Sequence, residues 1–501
     1  MSLLLLLITC FVAIALVRRL VRKPHRDIPI AGYSGALTSY ISCIRFLTDA
    51  QRFFDDAHGA RTDMFQFRLF HEWRVMVNDK RAISELFDSS KLLFLPTVGI
   101  TYQFRYTVHP SLENPDIHRP YLRFIMSHLD DFLPDMMTEI DLTLDSRHSE
   151  NNGKSVLMDC MTEAVFRALN IVLVGPYLAR DPVFCKETLR TVQSILATGS
   201  ILKLSPSCTR PLLHKLLNLF VPTCANSKAH AMMVNEIRRR KSEISKERGH
   251  WERQGCDVLA EFARNETLGD DENMLALHFI ILNLAGTFST TMTLTQIVFY
   301  LIQQEGCLLR IREELQAATV GSSSGITSGV LASCPSLDTF LKESLRLCNL
   351  GVLHITRRAM KDFAFSNGVR VPAGTLLSVP IGWTHHNPQV YPNPETFDDS
   401  RFRVTQGDHD HVVHPNSDPS SLNLDFLFFG YGRHACPGRF LAMRIIKCLV
   451  AHLVLKYDIR WTHPGFVPRP MWVMYCCVPD PKAEVVISRR GSSQDGNETQ
   501  N

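Results

Sequence analysis

One cysteine among the 14 of this 501-residue chain has neighbours unlike those of the rest: FLFFGYGRHACPGRF, Phe426 to Phe440. Cys436 could be a buried thiol, a nucleophile or a metal ligand. A nucleophile needs a general base, and His434 stands two residues away. The residues just after the cysteine suggest another geometry. Pro437-Gly438 leads into a helix-forming run, Arg439 to Leu455. The sulfur then sits at a helix start, where unpaired N–H groups and the helix dipole stabilise negative charge. Gly430 and Gly432 let the preceding loop turn tightly and press its backbone against something flat. Phe429 would pack on that flat body, and Arg433 and His434 could meet anionic groups on its rim. A core cysteine in an aromatic loop accounts for the phenylalanines but not for the glycines and basic groups. A thiolate axial ligand to haem iron fits every element.

The stretch Phe429 to Gly438 resembles the haem-binding loop of the cytochrome P450 family, and two more motifs accompany it. Lys342-Glu343-Ser344-Leu345-Arg346 is similar to the family's Glu-x-x-Arg helix motif. The segment PETFDDSRF, Pro394 to Phe402, resembles its Pro/Arg-Phe segment. Alone, Glu-x-x-Arg says little, because i,i+3 ion pairs decorate many solvated helices. The order and spacing of the three carry the signal. The resemblance implies that Glu343, Arg346 and Arg401 form a buried charge triad locking the cysteine loop, structural rather than catalytic. It implies haem b, iron protoporphyrin IX, with Cys436 as axial ligand and Phe429 against the macrocycle. Arg357 would pair with a propionate, and His434 occupies another propionate-contact position. Arg123 would be the helix arginine of the same role, with Arg119 its competitor in HRPYLRF; both also read as a solvated helix face. The segments MFQFRLFHEWRVMVNDKRAISEL and NIVLVGPYLARD, with the loop into FVPTC, resemble the fungal, secondary-metabolite branch.

One motif departs from the family. The oxygen-activation site of such proteins usually reads Ala/Gly-Gly-x-Asp/Glu-Thr-Thr, and here it is Ala285-Gly286-Thr287-Phe288-Ser289-Thr290. The small pair leaves room for dioxygen and lets the helix kink. Phe288 occupies the acid position and Ser289 the alcohol position. Ser289 can still hold water, with Thr290 behind it, but protons must arrive through a water chain or another residue. Alternatively, these hydroxyls simply bond their own helix carbonyls. The reaction implied is insertion of one oxygen atom from O₂ into an apolar small molecule: a terpenoid, polyketide or indole-derived metabolite. Electrons would come from NADPH through a cytochrome P450 reductase, with cytochrome b5 as a further partner, docked near Arg433, Arg439, Arg444 and Lys447. The alternatives are a haem-thiolate isomerase, dehydratase or peroxygenase without external electrons, and a non-catalytic haem sensor. Substrate contacts are expected in Leu95 to Tyr106, Ile195 to Leu204, Leu350 to His354 and Trp472 to Cys477.

The elements that must position these residues read as mainly α with a small β portion. A composition of 45% hydrophobic and 21% charged residues suffices for one large core. A net charge of +4, without a basic run interleaved with aromatics, argues against nucleic acid. Scattered cysteines with no CxxC argue against a zinc ribbon, a ferredoxin cluster and a disulfide scaffold. Met1 to Val17 is uncharged and precedes Arg18, Arg19, Arg22 and Lys23. As a helix that run spans about 25 Å, enough for an uncleaved transmembrane anchor with the remainder cytosolic. The expected organisation is a membrane anchor at 1–23, a single P450-fold catalytic domain at 24–490 on the endoplasmic reticulum, and a disordered polar tail at 491–501. Helices are expected at Glu272–Gln304 and at Leu337–Cys348, the latter capped by Ser336. Strands are expected at Met64–Phe70, Arg74–Asn78, Phe363–Val371 around Gly368, and Thr375–Val379. Leu112–Asp116, Gly321–Gly329 and Gly407–Ser421 read as loops.

Overall fold

The computed structural model describes residues 24–490, apart from 26, 36–37, 59–62, 70–71, 94–101, 150, 247–256, 265–270, 321–324, 349, 354, 405–411, 414–416 and 474–475. The expected anchor and tail lie outside the described residues, as do parts of the loops expected at 321–329 and 407–421.

Apolar residues without proline continue from Glu272 to Gln303, and they form one 32-residue helix. Asp271 caps it by accepting the Met274 N–H at 3.0 Å. By length and composition it could cross a membrane, yet 72% of its apolar window is buried inside the protein. It is the spine of the core. It packs on Leu157–Ala179, where the two amide side chains Asn170 and Asn283 exchange bonds of 2.7 and 3.0 Å. One turn on, a Cβ at Gly286 would stand 2.7 Å from Leu169 Cδ2, so a side chain there would make the end of Leu169 shift.

Around the spine the fold is mainly helical with a small sheet portion. Met64–Leu69 and Glu72–Val77 pair antiparallel; Leu376–Val379 lies parallel beside the second, followed by Ile355–Ala359 and Leu92–Leu93. Phe363–Ala364 and Arg370–Val371 form a separate hairpin turning near Gly368, whose φ is 86°. Three strand groups escaped the sequence reading: Tyr457–Trp461 with Glu484–Arg489 and Lys154–Val156, the hairpin Met471–Val473 with Cys476–Val478, and the pair Arg403–Val404 with Val412–Val413, which puts a strand inside the loop expected at 407–421.

Two local expectations need correction. Ser336 is not an N-cap: the helix runs Pro335–Leu347 with Cys334 at its cap position. Proline at the first helical position is preset for helix and lacks an N–H to satisfy. The N–H and hydroxyl of Ser336 instead bond the Glu314 carboxylate at 2.9 and 2.6 Å. Leu112–Asp116 is not plain loop but parts of two 3₁₀ turns, Pro110–Glu113 and Pro115–His118. Each starts with proline, after His109 or Asn114 accepting a backbone N–H.

The Pro335–Leu347 helix carries the interactions that hold the cysteine segment. Glu343 and Arg346 have fully buried side chains. Arg346 Nε and Nη2 both donate to Glu343 at 2.8 Å, a two-pronged pairing. Arg401 Nε donates to the same carboxylate at 3.3 Å and the Asp398 N–H at 2.9 Å. Arg346 Nη1 also reaches the carbonyls of His385 and Pro394 at 2.8 and 2.7 Å. His385 then completes a bridge that sequence reasoning missed. Its Nδ1 donates to Arg346 O at 3.1 Å, while Nε2 accepts the Leu427 N–H at 2.9 Å. The ring also stacks on Phe426 at 5.3 Å. The bridge runs from the ion-pair helix into the chain leading to Cys436.

Arg346→Met leaves Glu343 buried without its main partner. Unfolding by heat or urea is expected to show a loss of about 3–5 kcal/mol. Burial pulls His385 from its ordinary 6.5 down to about 3. The folded chain therefore resists protonation while the unfolded chain accepts a proton below 6.5, so this stabilisation is present above 6.5 and fades as pH falls towards 3. His278 and His452 are depressed in the same direction, so the wild type must be compared with His385→Gln. The variant is expected to be less stable at pH 7. The gap should narrow below pH 6.5 by up to about 1.4 kcal/mol per pH unit.

Candidate active site around Cys436

The cysteine loop is closed by its own backbone. Cys436 N–H donates to Phe429 O at 2.7 Å, Ala435 N–H to Gly432 O at 3.1 Å, and Gly430 N–H to Leu427 O at 2.8 Å. Gly430 and Gly432 have φ of 75° and 67°, left-handed positions that cost a side chain free energy. The turn delivers Cys436 to the start of the helix Arg439–Lys456, with Gly438 at the N-cap. The cysteine side chain is reached by solvent although much of the chain surrounds it. Burial pushes the thiol upward. N–H groups of Gly438 and Arg439, and the Arg439 charge, oppose that by favouring thiolate. Arg439 lies over the Phe440 ring at 4.1 Å and donates to Cys436 O at 3.1 Å. Phe429 is partly buried, edge-on to Phe428 at 4.9 Å.

Beside the loop a cationic rim gathers. His434 is lowered first by burial, then by Arg357 and Arg433; Asp116 raises it and Arg119 lowers it. These groups therefore lie within electrostatic reach of its ring. Arg357 comes from Ile355–Ala359 and is 2% exposed. Its guanidinium lies over Phe87 at 5.2 Å, and burial pulls it down to about 10. Arg119 opens the helix Arg119–Ser127 and donates to Asp116 at 2.7 Å. Arg123 lies one turn further along the same helix and is exposed.

On the long helix, burial is interrupted at Ala285, Phe288 and Ser289, which are accessible between buried stretches. The Ser289 hydroxyl donates to Ala285 O at 2.9 Å, so it back-bonds its own helix. Thr290 is buried. The expected basic docking group is smaller than its sequence suggested. Arg444 is held by Asp130 and Ser328, and Lys447 by Asp338, with both side chains under one-fifth exposed. Arg433 stays exposed and Arg439 half-buried. Acidic neighbours distant in sequence account for the difference.

The cytochrome P450 family profile matches residues 43–482. Cytochrome P450 monooxygenase 71 of Postia placenta is 25% identical over 462 residues, covering 90% of this chain and 91% of its own length. Cytochrome P450 monooxygenase pyr3 of Aspergillus fumigatus is 25% identical over 468 residues, with 89% and 86% covered. Retinoic acid-bound cyanobacterial CYP120A1 superposes with a TM-score of 0.67 at 20% identity, over 93% of this chain and 100% of that one. The matched span takes in the long helix, the Glu343 cluster and the Cys436 loop, and the chain belongs to the cytochrome P450 family of monooxygenase enzymes.

Proposed function

We propose that this chain binds haem b through the Cys436 thiolate and inserts one oxygen atom from O₂ into an apolar small molecule. The observation that carries the reading is the loop itself. Two left-handed glycines and the Phe429–Cys436 backbone bond present an accessible sulfur at a helix N-terminus. The donor set suits the cofactor. Three guanidinium groups, Arg119, Arg357 and Arg433, surround His434 with one carboxylate, Asp116, a balance that favours two propionates. When bound, thiolate-held haem supplies the oxygen-activating chemistry, with two electrons from outside.

The chain's own residues do the rest. Arg357, His434 and Arg119 would hold the acidic rim of the haem, and Phe429 would pack against it. Ala285 and Gly286 leave space beside the long helix. Phe288 keeps the usual acid position apolar, which bars a carboxylate proton relay there. Ser289 spends its hydrogen on Ala285 O, and its lone pairs remain to accept a water. Ser289 and Thr290 thus position water, and protons reach the site along it. Substrate is an apolar molecule of fungal secondary metabolism, a reading supported by relatives from fungi. NADPH–cytochrome P450 reductase, with cytochrome b5 as a further donor, meets the exposed face at Arg433 and Arg439. Residues 1–23 anchor the chain in the endoplasmic reticulum with its catalytic domain cytosolic. Phe288 also favours a second reading, haem-thiolate isomerase, dehydratase or peroxygenase chemistry that needs no external electrons.

The reduced full-length protein under carbon monoxide is expected to give the red-shifted Soret band of thiolate-bound haem, and Cys436→Ser to lose it. A wild type without that band overturns the assignment. With NADPH, reductase and ¹⁸O₂, product should carry one labelled oxygen; unlabelled product formed without NADPH selects the second reading. Arg119→Gln should weaken haem retention by about tenfold, as expected for one charge-assisted hydrogen bond, while Arg123→Gln retains it. The reverse ranking would remove Arg119 from the rim.

A further inference from the structure

Lys342 stands one residue before Glu343 on the Pro335–Leu347 helix, and it too is fully buried. Successive helical residues point about 100° apart, so the two charges face different surroundings. The Lys342 ammonium donates to Asp418 O at 3.2 Å and to Ser421 Oγ at 2.6 Å. It also stands over two aromatic rings, 4.8 Å from the centroid of Phe426 and 5.2 Å from that of Phe402. At such distances the negative face of a ring attracts a cation, more strongly where water is excluded. One ammonium thus touches the end of the PETFDDSRF segment, the stretch 418–421 and the chain entering the cysteine loop.

Phe426 is the contact that bears on the sulfur. Its buried ring carries the His385 imidazole, stacked at 5.3 Å with 15° between the planes, and meets Phe402 edge-on at 6.3 Å. The backbone beside it is pinned as well. Asn423 Oδ1 accepts the N–H groups of Asp425 and Phe426 at 2.8 and 2.7 Å, and Tyr391 Oη donates to Asp425 O at 2.8 Å. Leu427 follows, and its carbonyl accepts the N–H of Gly430, the left-handed glycine that opens the turn closed by Cys436 N–H on Phe429 O. A shift of the Phe426 ring therefore reaches that turn within four residues. A methionine could fill the space of Lys342 without desolvating a charge. What the ammonium adds is direction, through bonds and ring faces that hold it in one place.

We propose that Lys342 is a positioning residue for the Cys436 thiolate: its ammonium clamps the Phe426 ring and so holds the cysteine loop where the sulfur can bind haem iron. This deepens the thiolate reading and rests on it. Burial pulls Lys342 from 10.5 down to about 8, with Asp418 and Asp338 opposing. Asp338 is paired with Lys447, and Asp425, beside Phe426, with Lys80. His385, on the same ring, sits at about 3 and stays neutral through this range. The unfolded chain keeps the lysine proton up to 10.5, so this group's contribution to stability rises between pH 8 and 10.5. A cysteine likewise gains thiolate character as pH rises. Release of the clamp above pH 8 is thus distinct from unfolding and from protonation of the sulfur.

The test follows the carbon monoxide spectrum of the full-length, haem-loaded protein between pH 7 and about 9.5, with far-UV circular dichroism on the same samples. The red-shifted Soret band is expected to give way to the shorter-wavelength band of haem without thiolate, with a midpoint near pH 8, while the helical signal holds. At pH 7, Lys342→Met should lose the red-shifted band at least about fivefold faster than wild type, the size of a desolvated cation–π contact. That loss should be level across the pH range. Phe426→Leu, which keeps the site apolar, should behave alike, and the double variant should be no worse than either single one. Should Lys342→Met fail to fold, Phe426→Leu and the wild-type pH profile decide the matter. A wild-type band that is level with pH, a Lys342→Met band as lasting as that of wild type, or losses that multiply in the double variant would each overturn the proposal. So would band and helical signal falling together, the mark of a mere brace. A normal wild-type band with any of these outcomes sinks this inference alone, whereas a wild type without the band sinks the reading beneath it.

Discussion

The Glu343 carboxylate is the point on which the site depends. It lies fully buried and accepts from Arg346, Arg401 and the Asp398 N–H. A buried ion pair is weak evidence of stability, since desolvating two charges costs as much as their attraction returns. What it gives here is position. A charge that cannot lose its partners without a large penalty fixes every segment that supplies one. Arg346 extends the constraint to the carbonyls at His385 and Pro394, and His385 passes it to Leu427. The cysteine loop beyond needs only its own short bonds and two glycines to aim the sulfur.

A second theme is how charge is held away from bulk water. Arg240 is held between Glu236 and Asp257, and Arg310 and Arg403 share Asp399. The buried Lys342 ammonium instead donates to Asp418 O and the Ser421 hydroxyl at 3.2 and 2.6 Å, so neutral oxygens as well as carboxylates serve the cations of this fold. At the rim beside Cys436, Arg119, Arg357, Arg433 and Asp116 all lie within electrostatic reach of His434.

How much of this was legible in the sequence depended on range. The long helix announced itself through apolar residues uninterrupted by proline, and the cysteine loop through glycines, aromatics and a helix start crowded into 15 residues. Glu343 and Arg346 were legible through their fixed spacing. His385 was not, because both its partners, Arg346 and Leu427, lie about forty residues away. The same holds for Arg444 and Lys447, which look like surface charge until the fold brings up Asp130 and Asp338. Ser336 looked like a cap because serine often is one, whereas Pro335 had set the helix start before it. The minor strands were missed because they are short, and because some pair with chain far off in sequence, as Lys154–Val156 does with Glu484–Arg489.

The long helix shows how one element serves opposite demands. Most of its length is apolar and tightly packed, with Gly286 so near Leu169 that a side chain there would displace the end of the leucine. Yet at Ala285, Phe288 and Ser289 it turns accessible. A carboxylate at 288 would be the usual device for moving protons there, at the price of holding a charge against an apolar neighbourhood. Phenylalanine removes that cost and widens the apolar surface offered to a ligand.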